Sequence, residues 1–148
     1  MLIYRFPVCP GLLGMRVRHL PVGDAGYSDI QGSVTVREDL LAPTGYLHAA
    51  TVVALADTAA GYGCLASLPP GATGFTTIEL KCNFLRTAAI GDELTVLATG
   101  VHRGRTTQVW DATVTAGRDP HTAKNIGLFR CTQLILGAQA PSPATSTH

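Results

Sequence analysis

An α+β architecture, with one long central helix wrapped by a curved antiparallel sheet, is what this sequence predicts. Three observations carry the prediction. The stretch from about His48 to Leu65 is too long for a strand and is rich in alanine, the best helix former. The segments that follow it alternate apolar and polar residues between glycine-containing breaks, as consecutive antiparallel strands do. Finally, a chain of 148 residues that is 46% hydrophobic and only 14% charged can build one substantial core, with part of its surface covered by another subunit.

Taken in order, "GLLGM" after Pro10 can form a short helical turn. "SDIQGSVTVRE", Ser28 to Glu38, sets Ile30, Val34 and Val36 on one face at period two and reads as a strand. The apolar helix comes next, and its Gly61 and Gly63 would let another backbone lie very close. "SLPPGATG", Ser67 to Gly74, stops it with two prolines and two glycines. "FTTIELKCNFLR", Phe75 to Arg86, puts Ile78, Leu80, Cys82 and Phe84 on one face, and Thr77, Glu79, Lys81 and Asn83 on the other. Strands follow at Asp92 to Arg103, Thr106 to Ala116 and Lys124 to Leu136. The order is one strand, a long helix, then four strands. Residues 1–136 form the single predicted domain, and 137–148, small, polar and proline-containing, is expected to be a disordered tail.

Charge excludes some functions. With 11 Lys+Arg against 10 Asp+Glu there is no global field to recruit nucleic acid or an anionic membrane, so neither is an expected partner. Cys9, Cys64, Cys82 and Cys131 are widely spaced with no C-x-x-C, which argues for small hydrophobes in a reducing compartment. His102 and His121 lack metal-ligand spacing with each other or with His48, so no metal is expected. The N-terminal "MLIYRFPVCPGLLGMRV" is broken by Pro7 and Pro10 and is not read as a signal peptide. No stretch approaches the roughly 20 apolar residues of a membrane span. The expected location is cytoplasmic.

One carboxylate, Asp57, stands in the middle of the apolar helix, where burial is costly unless the group is paired or hydrogen-bonded. "LHAATVVALADTAAGYG", "TTIELKCNFLR", "GDEL" and "HRGR" together resemble the hotdog-fold acyl-CoA thioesterases of the phenylacetate-degradation and 4-hydroxybenzoyl-CoA type, from about Gly45 to Leu136. In that family an H-G-G is followed by an acidic residue eight or nine positions later on the central helix. Here His48-Ala49-Ala50 stands where H-G-G is usual, and Ala42 where many relatives place Asn or Gln.

The resemblance implies an acyl-CoA thioesterase acting on a medium-chain or aryl acyl-CoA. The substrate itself brings the coenzyme A, and no separate cofactor is implied. Asp57 would be nucleophile or general base, and the Ala49 backbone N–H at the helix start would polarise the carbonyl. His48 would orient that helix start, and Thr77 would hold the attacking water. Between Ala49 and Asp57 lie eight helical steps, roughly 12 Å at 1.5 Å per residue, too far for both to reach one carbonyl. The two roles should therefore come from different subunits of a homodimer, or of a homotetramer built from dimers, with active sites at the subunit interface. Arg86, Arg103 and Arg105 could meet the phosphates of coenzyme A, with Gly104 allowing close approach. Asn83, Phe84 and Leu85 would line its arm. The alternative is a hotdog protein that binds acyl-CoA without turning it over.

Overall fold

The computed structural model describes residues 9–137. It contains a short helix α1, Cys9–Leu13, strands β1, Arg16–Val22, and β2, Tyr27–Thr35, and the long helix α2, Ala49–Ala66. Four further strands follow: β3, Gly74–Phe84; β4, Glu93–Arg103; β5, Thr107–Gly117; and β6, Lys124–Leu136. The strands make one sheet, antiparallel throughout, in the order β1-β2-β4-β5-β6-β3. α2 packs along it, so the expected hotdog arrangement of helix and wrapping sheet is present.

The sheet's inward rows explain the core. β5 alternates without a break: Gln108, Trp110, Ala112, Val114 and Ala116 are buried, while the residues between them are not. β2 and β4 add Ile30, Val34, Leu94, Val96 and Ala98 to the same layer. Against these rows α2 lays Val52, Leu55, Ala56, Ala59, Ala60 and Cys64. The opposite side of α2, with Ala50, Val53, Ala54, Asp57, Thr58 and Leu65, is less completely covered.

Four expectations need correction. The sheet has six strands where five are expected, because β1 carries the pattern "RVRHLPV" with only Val17 buried. An edge strand needs little apolar periodicity, and it tolerates Pro21. Next, Gly61 and Gly63 do not clear space for another backbone. A Cβ on Gly61 would lie 2.8 Å from the tip of Phe75, and one on Gly63 would overlap the Trp110 ring, both from this chain's own sheet.

Thr77 also changes sides. The pairing of β3 with β6 shifts between Thr77 and Glu79, leaving Ile78 as a bulge. The extra residue puts Thr77 on the helix side together with Cys82, which packs on the core. Lastly, α2, with 18 residues, does reach the length and apolarity of a membrane span, although half of it is buried inside the chain. The tail from residue 138 onward lies outside the described residues.

Candidate active site

The site is built around the middle of α2. Asp57 sits on the face turned away from the sheet centre and is half-buried. The β3 bulge brings Thr77 across to it, with Thr77 Oγ1 2.9 Å from Asp57 Oδ1. The same oxygen is 2.9 Å from Gln133 Oε1, and Gln133 Nε2 lies 3.3 Å from Cys131 Sγ. Gln133 and Cys131 are fully buried on β6. Burial pushes the Cys131 thiol up to about 12, and the Asp57 charge pushes in the same direction. The thiol therefore stays protonated at neutral pH. Sequence reasoning did not reach Gln133. Its signal was an amide in the inward row Cys131, Gln133, Ile135, where an apolar residue belongs.

The start of α2 forms a second cluster. His48 is the N-cap residue, and its Nδ1 accepts the Ala50 N–H at 3.0 Å, so the imidazole proton sits on Nε2. Ala49, the first helical residue, is exposed, and its N–H has no carbonyl in its own helix to meet. With the positive helix end this makes an anion-favouring point. Ala49 shares a cleft of about 310 Å³ with Leu47, Val52, Phe84, Leu85 and Arg86. Phe84 and Leu85 are each about half exposed there.

The remaining predicted residues are dispersed. Asn83 points to the other side of β3, beside Lys81, Asp111 and Arg130. Gly104 and Arg105 occupy the β4–β5 turn, where the Gly104 N–H donates to Thr107 O. That turn borders the Gly74 end of β3, since Thr107 pairs with Leu134 and Gly74 with Leu136. Phe84 is at the far end of the same strand, paired with Gly127, roughly 33 Å away at 3.3 Å per residue. Arg103 is not available as an outward phosphate contact. Its guanidinium lies 4.7 Å from the Tyr27 ring centre, 4.9 Å from that of Trp110 and 3.7 Å from Asp29 Oδ1. Another cleft, of about 710 Å³, crosses β1, β2 and β4 beside the Arg16–Glu93 ion pair and holds none of the predicted site residues. Among the described residues, no three His, Cys, Asp or Glu side chains come together as a metal site.

The sequence profile of the Thioesterase superfamily matches residues 44–123, from just before the His48 cap to the β5–β6 connection. The chain belongs to that superfamily. It is a thioester hydrolase by membership. The 1,4-dihydroxy-2-naphthoyl-CoA hydrolase of Listeria monocytogenes is 34% identical to it over 109 residues, 74% of this chain and 82% of that one. A thioesterase family protein from Silicibacter pomeroyi superposes with a TM-score of 0.76 at 30% identity, covering 89% of this chain and 90% of its own. The PaaI protein of the E. coli phenylacetic acid degradation operon gives 0.74 at 25% identity, covering 88% and 86%. In this hydrolase the matched region contains both clusters, Asp57–Thr77 and the helix start.

Proposed function

We propose that the protein hydrolyses acyl-CoA thioesters, of the medium-chain or aryl class, with Asp57 and Ala49 acting from different subunits. The observation that carries this reading is the setting of Asp57: a half-buried carboxylate on α2 with Thr77 Oγ1 of β3 at 2.9 Å. The Listeria relative, a hydrolase of an aryl-CoA, supports the substrate class.

In the proposed reaction the Ala49 N–H donates to the thioester carbonyl oxygen, and the positive helix end favours the charge that develops there. Asp57 either takes a proton from water as it attacks the carbonyl carbon, or attacks that carbon directly to give an anhydride that water then opens. A C–O bond forms, the C–S bond breaks, and the departing thiolate of coenzyme A takes up a proton supplied by the water, leaving Asp57 as it began. The apolar cleft of Leu47, Val52, Phe84 and Leu85 suits an acyl or pantetheine chain.

Pairing two β3 edges antiparallel would place the β4–β5 turn of one protomer, with Arg105, near the Phe84–Arg86 end of its partner. That supplies phosphate contacts one chain cannot gather. Exposed Ile78, Leu80 and Phe84 along β3 support an edge that seeks a partner. The test is thiol release from a panel of acyl-CoAs by wild type and Asp57→Asn. We expect turnover of at least one substrate and a loss of roughly 100-fold or more in the variant, the scale of a general base. Wild-type rates in Asp57→Asn would remove Asp57 from the reaction.

A further inference from the structure

Thr77 has two acceptors and one proton. Its Oγ1 is 2.9 Å from Asp57 Oδ1 and 2.9 Å from Gln133 Oε1, and a hydroxyl has a single hydrogen to give. An ionised Asp57 can only accept. If Gln133 presents its oxygen to Thr77, one of these two O···O contacts contains no proton and is repulsive. The carboxamide also spans to Cys131, with its Nε2 3.3 Å from Sγ. Its two ends have the same shape, so counting protons decides which end faces which neighbour. With the amide reversed, Gln133 Nε2–H donates to Thr77, Thr77 O–H donates to Asp57, and the Cys131 S–H donates to Gln133 Oε1. Every contact then holds one hydrogen. The fully buried position of Gln133 and Cys131 makes a missing or repulsive contact costly there.

We infer that Gln133 is a positioning residue for the reaction: it commits the Thr77 proton to Asp57 Oδ1 and so reserves Oδ2 for the thioester carbonyl or its water. The inference rests on Asp57 being the reacting carboxylate. Gln133 touches neither substrate nor Asp57, and acts only through Thr77. The chain of donors runs one way, from a thiol that stays protonated to a carboxylate that stays free at one oxygen.

The test is a double-mutant cycle in the thiol-release assay, on the substrate the wild type turns over best. Thr77→Val removes a hydrogen bond to a charged acceptor and should lower kcat by roughly 10- to 100-fold. Thr77→Ser, which keeps the hydroxyl, should restore most of it. Gln133→Met, close in shape but unable to donate, should lower kcat by roughly 3- to 10-fold and leave KM unchanged. In the Thr77→Val background Gln133→Met should cost nothing more. Independent factors that multiply in the double variant would overturn the inference, as would a kcat for Gln133→Met within about twofold of wild type.

Wild-type protein gives a reading free of any folding defect in the variants. Nuclear Overhauser contacts from the Gln133 amide protons to the Thr77 methyl are expected, and contacts to the Cys131 side chain alone would sink the reversed amide. Asp57→Asn run alongside separates the two levels. Its collapse with an unaffected Gln133→Met overturns this inference only, whereas its full activity removes the catalytic reading and this inference together.

Discussion

A carboxylate among alanines is tolerated at Asp57 because one oxygen has a donor in Thr77 and the residue is only half-buried. The motif marked Asp57, His48 and Ala49 as candidates in the sequence. Thr77 was legible as a residue but not in its orientation, because a bulge leaves no trace in a period-two pattern. Gln133 was hidden, since its partners come from β3 and from its own strand, and only the folded register makes them neighbours. Cysteine chemistry at this scale is also set by burial. Burial pushes the Cys64 thiol up to about 11 and that of Cys131 to about 12, from 9.0. A folded-state value above the unfolded one means the contribution to stability is complete below pH 9.0 and declines as pH rises toward 11 and 12. Urea midpoints should therefore fall steeply above about pH 9, and less so in Cys131→Val. A midpoint that stays flat through this range would contradict the buried-thiol account. Exposed Cys9 should be alkylated at neutral pH while Cys64 and Cys131 remain unmodified until the chain unfolds.

On α2, two glycines two residues apart have opposite tolerance. Gly63 faces Trp110, whose Nε1 donates to Gln108 Oε1 at 2.9 Å, so the ring is tethered and has no room to retreat. Gly61 faces only the tip of Phe75, a side chain that is partly exposed and free to swing. Replacing glycine by alanine inside a helix gains about 1 kcal/mol of propensity, whereas overpacking a fixed core costs about 1–3 kcal/mol. Gly63→Ala is expected to lower stability by up to about 2 kcal/mol, the overpacking cost less the helix gain. Gly61→Ala should be neutral or slightly stabilising, and urea unfolding of the two variants decides. The sequence marks both glycines equally, because what distinguishes them is a tryptophan on β5. The same limit hid β1: an edge strand with Val17 as its single buried residue has no hydrophobic period to detect. Long α2 and the fully alternating β5 were legible for the converse reason, since each repeats its pattern over many residues against one continuous core.

For the molecule as a whole, the distance between the helix start and Asp57 and the apolar edge β3 point to the same assembly. In the proposed dimer, pairing through β3 would extend the sheet, cover Ile78 and Leu80, and bring the helix start of one protomer toward Asp57 of its partner. Charges on an edge strand block such pairing. Ile78→Lys combined with Leu80→Lys is expected to sediment at about half the wild-type mass, and to release thiol roughly 100-fold more slowly through loss of the oxyanion donor. Retention of full activity by a folded monomer would show that one chain is sufficient. The α+β order was readable because local patterns specify it. The proposed division of the site between two chains rests on a length argument, since a single sequence records no partner.

The sandwich of Tyr27, Arg103 and Trp110 gives the protein a built-in optical reporter. Trp110 is the single tryptophan and is completely buried, with its N–H on Gln108 and a guanidinium 4.9 Å from its ring centre. Its emission belongs to the blue end of the indole range and senses the seam between β5 and α2, not the β3 edge. Protomers paired through β3, as proposed, would part without altering that light, whereas melting of the core must shift it to the red. For that proposed dimer, fluorescence and sedimentation would register separate events on dilution, and the gap between their two curves would measure how far a lone protomer stands on its own.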